Sequence, residues 1–439
     1  MSGAVADHGT IPPVRTVCVV GSGGREHALA VVLGRTADVV VTPGNPGING
    51  VTPEGHTLTT SDRPATEIDA DLYVIGPEVP LVDGLADQLR ATGRLVFGPG
   101  ADGARLEGSK AFMKELLAEA GVPTARFGVF TEPDPAIDFL GSLPGPWVVK
   151  TDGLAAGKGV LVTYSLDEAV ADVRAKLSGT AFGAAGQQVV IEEGLVGEEC
   201  SLLVLCDGRR VAALAPAQDF KRVADGDAGP NTGGMGAYSP VPFVDDDLVD
   251  SLVAEAVTPL VAALRRRGID YRGVLYAGLM LTPDGPKVLE YNVRFGDPET
   301  QVVLPRLEGD LAALLAEVAA GDLRSTPRFG DRAAVCVVMA SEGYPDAPRT
   351  GDPIRGLVDA ASVDGVTVFH AGTATGSDGA VDQVVTSGGR VLGVTALGDS
   401  LGDARTLAYR GVSVIYWPGA HHRTDIAAVP AAATKESAR

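Results

Sequence analysis

The sequence predicts a multidomain protein that combines the α/β and α+β fold classes. Apolar segments predicted as strands alternate with helical segments from the start of the chain, as in layers of helices packed on a sheet. Several of these strands are apolar throughout, which is typical of parallel sheets covered on both faces. The chain has 439 residues, of which 45% are hydrophobic. This length leaves room for about two to four domains with their own cores.

The N-terminal quarter is predicted to form one α/β layer. Its buried parallel strands, with helices between them, are predicted at residues 14–20, 39–42, 72–75 and 95–97. Residues 1–13 are predicted to be a disordered extension, without the basic and apolar segments of a secretory signal. A helix is predicted over residues 102–120, and the turn Gly121-Val122-Pro123 ends it.

A smaller unit of strands and helices is predicted next. Its strands are predicted at residues 126–130, 147–150, 160–163 and 188–192. The helix after the third of these strands begins with Ser165-Leu166-Asp167-Glu168. This is a capping-box pattern, in which serine and glutamate satisfy free N–H groups at the first turn.

The remainder is predicted to contain long strands, a helix near residues 246–267 and a separate C-terminal domain from residue 331. The segment 225–240, DGDAGPNTGGMGAYSP, is predicted as a structureless loop, and loops of that length are usually functional or disordered. Residues 311–320 are predicted as a core helix, since no apolar run reaches the ~18 residues of a membrane span. The C-terminal strands are predicted in AAVCVVMAS, VTVFHAG, GGRVLGVTALG and, after a helix, GVSVIYW, with a tail after about residue 425.

Charge and cysteine usage argue against several classes of protein. The net charge of −20 disfavours a nucleic-acid partner, which would require a basic face, but permits a phosphate ligand at a locally basic site. Cys18, Cys200, Cys206 and Cys336 form no C-x-x-C pair and have apolar neighbours, which predicts reduced core thiols and a cytoplasmic location. The six histidines show no zinc-binding spacing.

The first glycine turn, VCVVGSGGREHALA at residues 17–30, has the outline of a dinucleotide-binding motif. Gly21 and Gly23 match G-x-G-x-x-G, but Glu26 occupies the third position, where close packing needs a small residue. The second strand also lacks an acid at its end for a ribose hydroxyl. The turn therefore predicts a general anion site at a helix N-terminus. Glu26 and His27 either stabilise the helix dipole or contact a sugar phosphate.

The segment VVKTDGLAAGKGV, residues 148–160, is predicted to cover phosphates. A buried strand ends in Lys150, and a glycine-rich loop then carries Lys158. The spacing is one residue short of a P-loop, and Gly159 stands where that motif has serine or threonine. Backbone N–H groups and lysine charge can still bind phosphate. An ordinary surface loop is the alternative.

The segment KVLEYNVRFGDPETQ, residues 287–301, is predicted to place Glu290, Asn292 and Arg294 on one face of a strand. A carboxylate and an amide oxygen suit Mg²⁺, which also retains waters and shares phosphates. Arg294 can hold a carboxylate bidentately. The alternative is a solvated strand face, which the apolar neighbours disfavour.

A third segment, VVIEEGLVGEEC at residues 189–200, runs from an apolar strand into several acids. This pattern suits either a solvated turn or a nucleoside, with backbone groups for adenine and a carboxylate for ribose hydroxyls.

Together these segments resemble the ATP-grasp superfamily and, within it, the family of glycinamide ribonucleotide synthetases. The similarity runs from about residue 14 to about residue 425. Besides the segments above, it rests on GSGGREHALA, PGNPG, IGPEVPLVDGL, LEGSKAFMK, QDFKRVADGDAGPNTGGMGAYSP, LYAGLM and FHAGT.

The resemblance implies an ATP-grasp fold between two flanking domains. Residues 1–106 would form a Rossmann-like domain and residues 331–439 a C-terminal α/β domain. The central ATP-grasp domain would comprise residues 107–120 and 192–330, with residues 121–191 as a lid over the nucleotide.

The resemblance also implies a reaction, in which ATP, glycine and 5-phosphoribosylamine give glycinamide ribonucleotide, ADP and phosphate through glycyl phosphate. Mg²⁺ or Mn²⁺ would accompany ATP, and no protein nucleophile is needed, since phosphoryl transfer depends on positioning and charge neutralisation. The partners would be these small molecules, without nucleic acid or membrane, and the chain would be a monomer or weak homo-oligomer.

By resemblance, Arg294, Lys150 and Asn292 would be catalytic, and Glu290 and Asn292 would bind the metal. The ATP-binding residues would be Lys110, Lys150, Gly153, Gly157, Lys158, Gly159, Glu192 and Leu195, with either Glu198 or Glu199 on the ribose. The residues contacting glycine or phosphoribosylamine would be Gly23, Gly24, Arg25, Glu26, His27, Asn45, Lys221, Gly233, Gly234, Arg294 and Asp297.

Two positions depart from the expected pattern. Many ATP-grasp members carry a further metal-binding acid where this chain has Tyr276-Ala277-Gly278-Leu279, which leaves Asp297 as a candidate for a second ion. Phe220 stands where the closer family often has histidine. The alternative function is another ATP-grasp ligase or carboxylase that acts on a different carboxylate, and the GREHA and NTGGMGAYSP segments argue against it.

Overall fold

The computed structural model describes residues 11–153, 159–178, 188–376 and 383–430. The first part forms a six-stranded sheet of order β3-β4-β2-β1-β5-β6, in which only β3 is antiparallel to its neighbour. Its elements are β1 (Thr16–Gly21), α1 (Gly24–Leu33), β2 (Asp38–Pro43), β3 (Gly50–Val51), β4 (Thr57–Thr60), β5 (Leu72–Ile75), α2 (Glu78–Val82), α3 (Leu85–Ala91) and β6 (Val96–Phe97). The four predicted parallel strands are confirmed. Their carboxyl ends share one edge of the sheet, which is where ligands bind in such folds.

The helix predicted over residues 102–120 is wrong in one respect, because it is two helices: α4 (Ala101–Gly108) and α5 (Lys110–Ala120). Ser109 between them is extended, with φ −140° and ψ 113°. Its Oγ accepts a hydrogen bond from the Phe112 N–H and so caps α5. The break places Lys110 on the first turn of α5.

The predicted small unit forms a four-stranded antiparallel sheet of order β7-β10-β8-β9. Its apolar residues form a cluster of their own, separate from the rest of the core. Ser165 Oγ accepts from the Glu168 N–H at 3.3 Å, which confirms the predicted helix start. The elements are β7 (Phe127–Phe130), α6 (Pro133–Gly141), β8 (Trp147–Thr151), β9 (Val160–Thr163), α7 (Leu166–Leu177) and β10 (Val189–Glu193).

The central part contains the antiparallel sheet β12-β11-β17-β18, with helices packed against it. Its elements are β11 (Glu198–Asp207), β12 (Val211–Ala213), β13 (Gln218–Asp219), β14 (Arg222–Ala224), β15 (Ala228–Asn231), β16 (Gly236–Ser239), α8 (Asp246–Leu252), α9 (Thr258–Arg266), β17 (Arg272–Thr282), β18 (Gly285–Asn292), α10 (Thr300–Val303), β19 (Leu307–Glu308), α11 (Leu311–Ala320) and β20 (Arg328–Phe329). The predicted helix over 246–267 contains a π-helical turn, Val253–Val257, between α8 and α9. The prediction of a structureless loop over 225–240 is wrong, since β15 and β16 lie within it.

The C-terminal part is built on the sheet β13-β16-β21-β25-β22, so β16 of the 225–240 segment and β13, which precedes that segment, join it. Its elements are β21 (Ala333–Ala340), α12 (Leu357–Ala361), β22 (Val366–His370), β23 (Thr373–Thr375), β24 (Val384–Thr386), β25 (Arg390–Gly398) and α13 (Leu401–Val414). The strand predicted in GVSVIYW is wrong, because its first four residues complete α13. The four cysteines are buried and free, as predicted. Among the described residues, none of the helices has the length and apolar character needed to cross a membrane.

Candidate active site

The cleft between the small antiparallel sheet and the central sheet contains a buried cluster of two lysines and one acid. Lys150, the second-to-last residue of β8, places Nζ 2.7 Å from Glu192 Oε1 on the neighbouring strand β10. Lys114 of α5 places Nζ 2.8 Å from the other oxygen, Oε2. Burial works to raise the pKa of Glu192, but the charges of Lys150 and Lys114 outweigh burial and lower it. Glu192 is therefore ionised and held by both lysines.

The glycine-rich segment that follows β8, residues 153–159, begins beside the N-terminus of α5. Lys110 Nζ donates to the Gly153 carbonyl at 2.9 Å. Asp152 accepts from the Ser109 hydroxyl and the Ala111 N–H, each at 3.1 Å, and so ties this segment to the helix. The Thr151 N–H donates to the Gly159 carbonyl at 2.8 Å, which closes the base of the segment. The predicted residues Gly157 and Lys158 lie outside the described residues.

The acid, the amide and the guanidinium that were predicted on one strand face lie together beside these lysines, but β18 ends at Asn292, so Arg294 follows the strand and is not part of it. Arg294 Nη2 is 3.3 Å from Asn292 Oδ1. Burial would raise the pKa of Glu290, but Lys150, Lys221, Lys110 and Arg294 together lower it. The carboxylate is thus charged and surrounded by cations.

A bulge in the sheet shapes this region. Gly278 pairs with Glu290 and Leu279 with Val288, so Leu289 is an extra residue in β18. Bulges re-aim side chains and release ladder groups. The Leu289 carbonyl is within 3.3 Å of Lys150 Nζ, which helps to place that lysine beside Glu290.

The donor set fits Mg²⁺ only in part. Glu290 and Asn292 supply hard oxygen atoms, and Mg²⁺ usually takes few protein ligands and completes its sphere with waters and phosphates. Within the described ranges, no group of three or more histidine, cysteine or acidic residues is placed to hold a metal by itself. These residues therefore suit a metal that arrives with a nucleotide.

Two acids that the sequence analysis did not identify hold Arg294. Its Nη2 is 2.8 Å from Glu107 Oε1, and its Nε is 3.5 Å from Glu78 Oε2. Glu107 also accepts from the Val293 N–H at 2.8 Å. Glu107 is part of LEGSKAFMK, but it is separated from Arg294 by 187 residues in the sequence. No local pattern could therefore predict that the two side chains pair.

The residues of the first glycine turn are mostly engaged with one another. Glu26 Oε2 accepts from the Gly23 N–H at 2.6 Å, and Oε1 accepts from Arg25 Nε at 2.5 Å. A Cβ at Gly76 would lie 2.1 Å from Glu26 Oε1, so any side chain at this position would displace the Glu26 carboxylate. Glu26 caps α1, as one of the two predicted alternatives requires. Gly24 lies beside them at the first position of α1.

His27 and Asn45 join this turn to the C-terminal part. His27 Nδ1 accepts from the His370 N–H at 2.8 Å. Asn45 Nδ2 donates to the carbonyls of Ser22 and His370, each at 2.9 Å. Burial lowers the pKa of His27 to about 3, with a smaller contribution from His370 in the same direction. His27 is therefore neutral in the folded protein.

Asp297 lies opposite the first turn of α1 and is held by a C-terminal residue. Arg390 Nη2 is 3.2 Å from Asp297 Oδ2, and Nη1 donates to the Asp297 and Gly233 carbonyls. Gly234 follows at φ +109°, a conformation that favours glycine, and packs against Pro298. Arg390 was not predicted, yet it connects three of the quoted segments. Asp297 is paired with arginine, which argues against the role of a metal ligand.

Lys221 lies within a second group of acids on the same side of the central sheet. Its Nζ is 2.6 Å from Glu199 Oε2 and 2.8 Å from Asp219 Oδ1. Glu198 is the neighbouring residue in β11 and is exposed, so the two acids point to opposite faces. Phe220 packs against Tyr238 and the Arg423 guanidinium, at 6.2 and 4.9 Å between centres.

Three family models for phosphoribosylglycinamide synthetase match the chain. The N domain matches residues 15–107, the ATP-grasp (A) domain residues 108–300 and the C domain residues 334–429. The chain belongs to the phosphoribosylglycinamide synthetase family.

Curated relatives and solved structures agree with this membership. The phosphoribosylamine–glycine ligase of Streptomyces coelicolor is 50% identical, with 95% of this chain and 100% of that protein covered. The ligase of Caulobacter vibrioides is 49% identical, with 94% and 97% covered.

The crystal structure of the Thermotoga maritima phosphoribosylamine–glycine ligase has a TM-score of 0.78 at 34% identity and covers 94% of this chain and all of its own. The biotin carboxylase domain of the Hydrogenobacter thermophilus 2-oxoglutarate carboxylase has a TM-score of 0.67 at 17% identity, with 94% and 92% covered, and shares the fold alone. The predicted ATP-grasp fold is confirmed.

Proposed function

We propose that this chain joins glycine to 5-phosphoribosylamine in purine biosynthesis, with ATP converted to ADP and phosphate. The similarity to phosphoribosylamine–glycine ligases over nearly the full length supports this function. The observation that carries it is the grouping of Glu290, Asn292 and Arg294 beside Lys150 in one cleft. Such a group of preorganised charges is what phosphoryl transfer to a carboxylate requires.

The steps follow from the charges present. The carboxylate of glycine attacks the γ-phosphorus of ATP, and the bond to the ADP oxygen breaks, which gives glycyl phosphate. The amine of phosphoribosylamine then attacks the carbonyl carbon, phosphate leaves, and the amine loses a proton. Arg294 is suited to hold the carboxylate and then the acyl phosphate bidentately. Mg²⁺ or Mn²⁺ bound through Glu290 and Asn292 would neutralise the phosphates.

The other assignments are parts of the same proposal. Lys110, Lys150 and the 153–159 segment bind the triphosphate, with adenine near Glu192 and Leu195. We assign the ribose to Glu199, because it shares a face with Lys221 near Glu290, whereas Glu198 points away. Residues 121–191 act as a lid that excludes water from glycyl phosphate.

The two remaining substrates are assigned to the other side of the cleft. Phosphoribosylamine lies between α1 and the Gly233–Asp297–Arg390 group, near Gly23, Gly24, Arg25, His27 and Asn45. Lys221 and Gly234 line the adjoining surface. The enzyme is proposed to act in the cytoplasm.

The decisive experiment measures ADP release with each substrate omitted in turn, and phosphoribosylamine is made in place from ribose 5-phosphate and ammonia. Turnover should require glycine, phosphoribosylamine and a divalent metal together. ADP release that continues without glycine, or that bicarbonate or another amino acid supports equally, would reject the proposal and favour a different ATP-grasp ligase or carboxylase.

A further inference from the structure

Lys114 is a fully buried lysine that the substrate assignments do not use. It lies one turn after Lys110 on α5, and its side chain has 0% exposure. Its Nζ donates to Glu192 Oε2 at 2.8 Å and to Thr124 Oγ1 at 2.7 Å. Burying a lysine costs much free energy unless its charge is paired. The presence of a buried lysine paired with Glu192 at this position therefore needs a physical explanation.

The charges of Lys114, Lys150 and Glu192, taken together, provide this explanation. Lys114 and Lys150 carry two positive charges, and Glu192 carries one negative charge shared between its two oxygens. Without Lys114, Glu192 and Lys150 would form a closed, neutral pair at 2.7 Å. Ion pairs that are shielded from water attract strongly. A nucleotide would then compete with Glu192 for Lys150, and a neutral pair would offer its phosphates no net charge.

We propose that Lys114 is a positioning residue that holds the Glu192 carboxylate and thereby frees the charge of Lys150 for the nucleotide phosphates. The inference rests on the proposed function only in that this cleft binds ATP. Lys114 touches no substrate in this role. Glu192 is the group through which it acts.

The same contacts also allow a purely structural role. Thr124 lies where the chain enters the small sheet, and its Oγ1 donates to the Val288 carbonyl at 2.6 Å. Glu192 lies where the chain leaves that sheet. Lys114 therefore contacts both connections, at Thr124 and at Glu192. A structural role in holding these two connections together would also explain its burial. Only the electrostatic role depends on the charge of Glu192.

Four variants separate the two roles: Lys114→Met, Glu192→Gln, the double variant and, as a control, Lys176→Met. Lys176 is a buried lysine of α7 that pairs with Asp172 and donates to the Val149 carbonyl at 3.0 Å, apart from Glu192. The measurements are the KM for ATP, kcat, direct binding of Mg·ADP by calorimetry, and circular dichroism with thermal unfolding to confirm the fold.

For Lys114→Met we expect the KM for ATP to rise about tenfold or more, the size of one lost charge-assisted contact. Because Glu192 is itself assigned to adenine, the double variant is compared with Glu192→Gln alone and not with the parent chain. Lys176→Met should leave the KM unchanged. A KM for ATP in Lys114→Met that equals that of the parent chain would overturn the proposal.

A second comparison does not depend on the single variant being folded. In the Glu192→Gln background, adding Lys114→Met should leave Mg·ADP affinity and the KM for ATP unchanged, because the charge that Lys114 balances is gone. A further loss of Mg·ADP affinity in that background would show that Lys114 acts by holding the two connections together, and would reject the electrostatic role. Failure of the parent chain to bind Mg·ADP would instead reject the proposed function, so the two failures are distinguishable.

Discussion

Replacing Arg294 by methionine is the sharpest test of the assigned site, because the guanidinium that we assign to the substrate also pairs with two acids of the fold. The variant loses the contact to Asn292 Oδ1 at 3.3 Å and the contact to Glu107 Oε1 at 2.8 Å. Removing a preorganised charge that acts on the transferring phosphoryl group lowers turnover by about 10²–10³-fold. We expect a fall of that size in the initial rate of ADP release.

The same substitution should also destabilise the fold, and the size of this loss of stability follows from the surroundings of Glu107. That side chain is 9% exposed and would lose its partner cation. Breaking a buried pair from one side costs about 3–5 kcal/mol. Burial already raises the pKa of Glu107, and Arg294 is the main opposing influence, so the variant raises it further.

The pH dependence of that loss has a definite sign. An acid whose pKa is higher in the folded state binds its proton more tightly there, so its contribution to stability is full at low pH and is lost as the pH rises through the folded value. The free energy of unfolding of Arg294→Met should therefore fall further below that of the parent chain as the pH rises from 5 to 8, roughly the range above an ordinary glutamate pKa. Urea unfolding followed by circular dichroism measures it.

Adding Glu107→Gln separates the two effects. The double variant should regain much of the stability, because the buried Glu107 charge is gone and the other partner of Arg294, Glu78, is 30% exposed, but it should regain none of the turnover. Arg306→Met serves as a matched control, since Arg306 is a buried arginine bound to Ser239 Oγ at 2.6 Å and to the carbonyls of Arg332 and Gly330. It should cost stability and spare kcat. Turnover near the parent value in Arg294→Met, or recovery of turnover in the double variant, would refute the role of Arg294.

Three further outcomes are expected. Lys150→Met and Asn292→Ala should each lower turnover by about 10²-fold or more with the circular dichroism spectrum unchanged, and near-normal rates would remove either residue from the site. Arg390→Met should raise the KM for phosphoribosylamine and leave Mg·ADP affinity unaltered, as calorimetry can check. Burial lowers the pKa of His27 to about 3 and of His370 to about 4, from 6.5. Neutral folded histidines give stability that is present above pH 6.5 and lost as the pH falls towards 4, so His370→Gln should flatten the acid limb of a stability–pH curve.

The parts of the fold that sequence could predict are those with a strong local pattern. The strands β5 and β9 have the predicted bounds, because short apolar runs between turn residues mark them. The Ser165 cap was equally visible, because the side chain acts on residues within one turn. Glu290 and Asn292 were predicted together, because spacing along one strand fixes which residues share a face. Arg294 was predicted on the same strand, but it lies after the end of β18 at Asn292.

The parts that sequence missed depend on partners far away in the chain. GVSVIYW has the β-branched residues of a strand, but Val412 is buried where α13 packs on β21 and β25, and this packing overrides the local preference. The strand β16 pairs with β13 on one side and, on the other, with β21, about a hundred residues later. Lys114 meets Glu192 at a separation of 78 residues.

These long-range pairs are also what make the short-range motifs function. Glu290 stays ionised although it is buried, because cations from four different elements or segments surround it. A metal ion that arrived with a nucleotide would therefore meet a carboxylate that has no proton to release, and its binding would not have to overcome protonation. The motif on β18 supplies the oxygen atoms, but their charge state is set by Lys110, Lys150 and Lys221, which other parts of the chain deliver. On a strand with the same spacing and no such cations, burial would raise the pKa of the acid, so the spacing by itself does not set the charge that a metal site needs.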